Sequence, residues 1–290
     1  MMSQVNSLLE KTGSLIAEND LLSAEQCLNE VFTLDPNCLA AHNLREKYRF
    51  KGNYSDWIGV NAEISPDDDI FRFFLNHPTS LNPIRDYLSD GWRSMVEFHD
   101  LIDHCALSVH RCNSFLEFAS GQGRFTRHLA RILKNQQLTV SDVVPGSVDF
   151  LQKAMGVKGF YSSNDPAALT IPGEYEIIFV LSLFSHLPPA IWGQWFDVLY
   201  GSLTTNGVLI FSTHGEKCAK MAGVGLTETG TRFYASSEST VLDGEIYGCT
   251  YARSEYVQRA IVDALGPSIK VRIFPNHFWD NQDAFVVSRR

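Results

Sequence analysis

Phe115-Leu116-Glu117-Phe118 suits a buried strand, and it runs directly into Ala119-Ser120-Gly121-Gln122-Gly123-Arg124. An amphipathic helical pattern follows over 125–133. A glycine-bearing turn between a strand and a helix lets backbone approach a ligand closely, and the helix beyond it offers unpaired N–H groups. Working outward, short apolar runs and helical segments alternate. Strands are expected over 138–142, 157–161, 175–181, 207–213, 269–274 and 284–287. Helices are expected over 147–155, 189–203 and 254–265, with Trp192 and Trp195 on the second of these as core residues. Such β-α alternation predicts a parallel sheet with helices on both faces and right-handed crossovers. In a sheet of that kind ligands bind at the carboxyl ends of the strands, beside the point where strand order reverses.

Asp142, at the end of the second strand, lies 21 residues beyond Gly121. A carboxylate there can accept both hydroxyls of a ribose through charge-assisted bonds, so a nucleoside-containing cofactor follows from position. Spacing alone leaves two open, a nicotinamide dinucleotide and S-adenosylmethionine. The nicotinamide fingerprint asks for a third Gly or Ala where this chain has Thr126, and no Tyr-x-x-x-Lys pair is present. Glu117 suits the ammonium group of S-adenosylmethionine.

The ordered series over about 110–290 resembles class I S-adenosylmethionine-dependent methyltransferases, in a largely uncharacterised small-molecule branch. Glu117 to Arg124 resembles the first motif, and Asp142 in Ser141-Asp142-Val143-Val144-Pro145-Gly146-Ser147 resembles the ribose-binding acid. Asp165 resembles the side chain that meets the adenine amino group. Tyr175 to Pro188 resembles the fourth strand and the loop behind the methyl donor, and Asn206 to Gly215 the fifth strand. The resemblance implies a Rossmann-like, doubly wound, mostly parallel seven-stranded sheet with S-adenosylmethionine as cofactor. It implies donor contacts at Glu117, Ala119, Gly121, Gly123, Asp142, Asp165 and Leu181. Ala119 stands where many relatives have a glycine, which narrows the room for the methionine part. Glu176 replaces a more usual Asp and bears on packing. The implied activity is in-line methyl transfer to a small-molecule or glycan-precursor acceptor.

His186 and His214 each follow a strand at the end where the site is expected. Both are candidate bases, with packing or hydrogen bonding as the competing role. Tyr247 and Tyr251 lie in a glycine-bearing stretch, about 215–253, expected as an irregular insertion that is either a lid or a surface excursion. Tyr87 and Trp92 precede the main domain; the resemblance implies that such a segment covers the cofactor side, so that Tyr87 or Trp92 would cap the site, with helix packing as the alternative. No clustered ligand pattern suggests a metal.

Before the main domain the chain reads as a helical extension over 1–60 and a helical linker or cap over 61–110. In the extension Asn19-Asp20 breaks two helices, Ser23 and Gln26 suit a capping box, and Leu34-Asp35-Pro36-Asn37 ends the second helix. That hairpin resembles one tetratricopeptide unit. It either caps the main domain or offers a surface for a protein partner or self-association. A non-catalytic adaptor and a nicotinamide-dependent oxidoreductase are therefore the alternatives to methyl transfer.

The chain has 290 residues, 44% of them hydrophobic, and carries 33 acidic against 24 basic side chains for a net charge of −9. An acidic surface repels phosphate backbones, which argues against nucleic acid as a partner. The six cysteines form no Cys-x-x-Cys pair, and reduced thiols predict a cytoplasmic setting. The longest apolar run, 177–184, falls short of the roughly 20 residues a membrane helix needs.

Overall fold

A computed structural model describes residues 2–237, 239 and 241–289. Met1 and Arg290, at the outer ends of the expected segments, and Glu238 and Thr240, inside the expected insertion, lie outside the described residues. The chain forms two compact units, Met1–Asp90 and Gly91–Arg290.

The first unit is helical. It contains α1 (Met2–Ala17), α2 (Leu21–Leu34), α3 (Leu39–Lys47), α4 (Tyr54–Ile58), α5 (Asp69–Asn76) and the first part of α6 (Pro83–His104). Asn19 takes a left-handed backbone, φ 61°, between α1 and α2. The expected capping box at Ser23 and Gln26 is not the start of α2: Asp20 is the N-cap, and its carboxylate accepts the Ser23 N–H at 3.2 Å. An aspartate reaches the third helical N–H as well as a serine does, so the helix opens three residues earlier. Its end at Leu34 falls where the Asp-Pro pair predicts. Ala24, Leu28 and Val31 of α2 bury against Val5, Ala41 and Phe50, and a second cluster joins Ile64, Phe71, Ile84 and Tyr87. No break in helical pattern marks the division between the units, because α6 runs through it.

The second unit contains β1 (Phe115–Phe118), α7 (Thr126–Ile132), β2 (Leu138–Asp142), α8 (Ser147–Met155), β3 (Lys158–Tyr161), β4 (Tyr175–Val180), α9 (Trp192–Gly201), β5 (Leu203–His214), α10 (Glu216–Met221), β6 (Thr231–Tyr234), β7 (Cys249–Ala252), α11 (Ser254–Leu265), β8 (Ile269–Phe278) and β9 (Gln282–Arg289). Strands β3-β2-β1-β4-β5 are parallel neighbours in that order. β9 then pairs antiparallel with β5 and with β8. This is a Rossmann-like, doubly wound α/β sheet, and β1, flanked by β2 and β4, marks the reversal of strand order.

Alternate residues of each central strand serve opposite faces. Ile177 and Phe179 of β4 join a cluster with Phe98 of α6, Leu129 of α7 and Leu151 of α8. Ile178 and Val180 join Trp192, Trp195 and Phe196 of α9 and Ile261 of α11. Burial on both faces is why the β4 segment reads as an unbroken apolar run. Among the described residues the sheet has nine strands, two more than expected. The extra pair, β6 and β7, comes from the stretch expected to be irregular. β7 pairs with β5 at His214↔Tyr251, beyond the last β4–β5 pair at Val180↔Phe211, so the hairpin stands over the carboxyl end of β4. No helix among the described residues is long and apolar enough to cross a membrane.

Candidate functional site

The carboxyl ends of β2, β1, β4 and β5 lie in a row. Three strand spacings of about 4.8 Å make that row roughly 14 Å long. Polar side chains gather at both ends of it.

At one end, Ser120 N–H donates to the Ser141 carbonyl at 3.0 Å and Gly121 N–H donates to Asp142 Oδ2 at 2.7 Å. Val144 N–H donates to Asp142 Oδ1 at 2.8 Å. The loop after β1 is thus strapped to the end of β2, and the Asp142 carboxylate is fixed by backbone. Gly121 faces open space where a side chain would begin, whereas a Cβ on Gly123 would overlap Leu151. Gly123 also holds φ at 93°. One glycine therefore leaves a cradle and the other lets α8 close on the loop. Glu117, at the end of β1, is buried, and its Oε2 has no hydrogen-bond partner. Burial pushes its carboxyl up to about 8; the neighbouring Asp142 charge adds to the rise and the Thr126 hydroxyl opposes it. A buried acid with an unpartnered oxygen suits a cation in the adjoining space.

At the other end, His186 and His214 come together with Tyr247 and Tyr251. The two imidazole centroids are 6.0 Å apart. Tyr247 stacks on His186 at 4.3 Å and Tyr251 stacks on His214 at 5.2 Å. His186 Nδ1–H donates to the Gly248 carbonyl at 2.8 Å, and His214 Nδ1–H donates to the Thr250 carbonyl at 3.2 Å. A carbonyl only accepts, so in each neutral ring these bonds place the proton on Nδ1; the His214 Nδ1 also lies 3.7 Å from Cys249 Sγ. Burial, then the neighbouring His186, lowers the His214 imidazole to about 4. Gly248 N–H donates to the His186 carbonyl and Thr250 N–H to the Ser185 carbonyl, so β7 and its approach hold the loop after β4.

The remaining expected residues are placed as follows. Ala119 holds φ at 59°, the conformation glycine prefers. Asp165 is exposed and accepts the Ala167 N–H at 2.9 Å at the turn after β3. Leu181 follows β4, half-buried against the first of the two sheet clusters. Trp92 is 60% exposed with its ring 5.7 Å from that of His128, so it is the one proposed cap with surface to offer. Tyr87 is fully buried in the first unit, with Phe71 at its ring edge and its hydroxyl donating to Asp68 Oδ2 at 2.6 Å. A ring enclosed in that way packs a core and has no surface to present to a cofactor, which corrects the expected capping role. The described residues contain no group of three or more side chains able to hold a metal.

No protein-family model matches the chain, and no curated protein does either. Solved structures do resemble it. An S-adenosylmethionine-dependent methyltransferase from Clostridium acetobutylicum aligns over 68% of this chain and 91% of its own at 13% identity, with a TM-score of 0.48. The glycopeptide N-methyltransferase MtfA aligns over 68% and 90% at 12% identity, TM-score 0.48. The N-methyltransferase NodS from Bradyrhizobium japonicum aligns over 68% and 96% at 17% identity, TM-score 0.43. The chemistry of this chain rests on its own residues.

Ser182, Ser185, Ser212 and Gln282 escaped the sequence reading. Ser212 Oγ–H donates to Gln282 Oε1 at 2.7 Å, and Gln282 Nε2–H donates to Ser182 Oγ at 2.8 Å. Ser182 N–H returns to Ser212 Oγ at 2.8 Å. Small neutral polar residues carry no signature by type; the only signal available was Ser212 on a strand otherwise expected to be apolar, while Gln282 falls before the strand expected over 284–287, which in the structure begins at Gln282.

Proposed function

We propose that the second unit is an S-adenosylmethionine-dependent methyltransferase acting on a small-molecule or glycan-precursor acceptor in the cytoplasm. The observation that carries this reading is Glu117: a buried, raised carboxyl with one unpartnered oxygen, at the reversal of strand order, beside the open space at Gly121 and the strapped Asp142. These residues fit the donor. Glu117 would take the ammonium of the methionine part, Asp142 the ribose and Asp165 the adenine amino group, with Ala119, Gly121, Gly123 and Leu181 shaping the pocket.

When bound, S-adenosylmethionine supplies an electrophilic methyl group on a sulfonium whose leaving group is a neutral thioether. What the protein adds is alignment of the acceptor atom with that methyl, worth roughly 7–11 kcal/mol in well-oriented systems. The stacked pairs His186–Tyr247 and His214–Tyr251 form a flat-walled acceptor end that excludes water. Where the acceptor atom must lose a proton, the candidate bases are His186 and His214, the second weakened because burial lowers it to about 4. Trp92 would cover the donor side.

The test is calorimetric titration with S-adenosylmethionine and its demethylated product, run at pH 7 in two buffers of different ionisation enthalpy, with NAD and NADP as controls. A carboxyl raised to about 8 that ionises on meeting a cation releases a proton as the donor binds at pH 7. Binding with that release in the wild type, its disappearance in Glu117→Gln and loss of binding in Asp142→Ala are expected. Binding of a nicotinamide nucleotide in place of the sulfur ligands would overturn the reading, and so would no binding at all.

A further inference from the structure

Three hydrogen bonds close a ring among Gln282 of β9, Ser212 of β5 and Ser182 just after β4. Directions around it are set without choice. Ser185 Oγ–H donates to the Ser182 carbonyl at 2.6 Å, so the 2.9 Å contact between the two hydroxyls is Ser182 donating to Ser185. Ser182 Oγ is then left to accept from Gln282 Nε2, and Ser212 Oγ accepts from Ser182 N–H while donating to Gln282 Oε1. Every proton has one place. Ser212, Ser185 and Gln282 are buried, so a missing member leaves partners that water cannot satisfy.

The ring has something to hold. Ser182 sits at φ 63°, a left-handed conformation that a non-glycine residue keeps only under constraint. The turn it begins carries His186, whose N–H donates to the Leu183 carbonyl at 2.8 Å. Gln282 is also the cross-strand partner of His214. A single amide thus braces the turn before one imidazole and stands beside the strand end that bears the other.

We infer that Gln282 is a positioning residue of the acceptor end: through Ser182 and Ser185 it holds the turn that aims His186 and keeps its proton on Nδ1. This rests on the reading of His186 as an acceptor-end residue given above. It assigns no contact between Gln282 and any substrate.

The experiment reads the His186 ring directly. Ring nitrogen and carbon-bound proton signals of the full chain, uniformly labelled with nitrogen-15, are recorded by long-range correlation, with His186→Gln identifying the signal. In the wild type the Nδ1–H tautomer dominates. In Gln282→Leu, which keeps the bulk of the side chain and removes both of its hydrogen bonds, the two tautomers become comparably populated. Ser212→Ala, a one-atom deletion that opens the same ring, reports the same change if Gln282→Leu does not fold. A folded variant of either kind with an unchanged His186 tautomer would overturn the inference. Titration of the same samples with S-adenosylmethionine separates the two claims: a wild-type chain that does not bind it sinks the functional reading, while the tautomer result still decides the role of Gln282.

Discussion

Ala119 spends its place in the loop after β1 at a backbone angle that suits glycine, φ 59°. A left-handed L residue costs roughly 1–2 kcal/mol, and a glycine gives back about 0.4–1 of that as unfolded-chain entropy. Ala119→Gly is expected to stabilise the protein by about 0.5–1 kcal/mol, a rise of roughly 1–4 °C in melting temperature by calorimetry; an unchanged or lower melting point would refute it. Legibility at this scale follows charge. Glu117 and Asp142 were readable because a carboxylate at the end of an apolar strand needs a reason to be there. The histidines and tyrosines were readable as separate polar tips. Their stacking in pairs was not, because it depends on where β7 lies. Gln282, Ser182 and Ser212 gave no sign, since a neutral side chain that satisfies itself internally looks like any other in sequence.

Elements with clear brackets were readable to the residue: β1, β2, α8 and α11 lie where the sequence places them. The β6–β7 hairpin was not. Each strand has only four residues, no short turn joins them, and β7 gains its place through one pairing with β5 and through the loop after β4. Alternation over so short a span does not rise above its surroundings. Close approach inside the hairpin also depends on Gly248, where a Cβ would overlap the Tyr234 carbonyl oxygen and sit 2.6 Å from the Phe233 ring. Gly248→Ala is expected to cost about 1–3 kcal/mol through overpacking against backbone that cannot step aside. A thermal melt checks the loss, and an unaltered midpoint would show that the hairpin has slack.

For the molecule as a whole, three buried groups set opposing responses to pH. His214 and His128 are both lowered to about 4 by burial, with the His186 and Arg127 charges adding respectively. The unfolded chain binds more protons than the native one as pH falls from 6.5 toward 4, so stability is lost in that window. Glu117, raised to about 8, acts the other way: the native state holds its proton, and stability falls as pH rises from 4.5 to 8. His214→Gln is expected to lose less stability than the wild type between pH 6.5 and pH 4, measured as the difference in melting temperature across that interval; equal losses would mean that His214 is solvated in its charged form. The doubly wound, mostly parallel sheet was legible through the run of β-α units and the family resemblance. The division of the chain at Asp90 was not, because a helix, not a flexible linker, crosses it. The order of strands along the chain also bears on how such a protein could diversify. Apart from Trp92, the residues proposed for the donor lie between Glu117 and Leu181, and those proposed for the acceptor end and its brace lie between Ser182 and Gln282. One crossover between two genes of this design, placed at the end of β4, would graft a new substrate preference onto an unaltered donor pocket, and the bracing amide would travel with the imidazoles it serves.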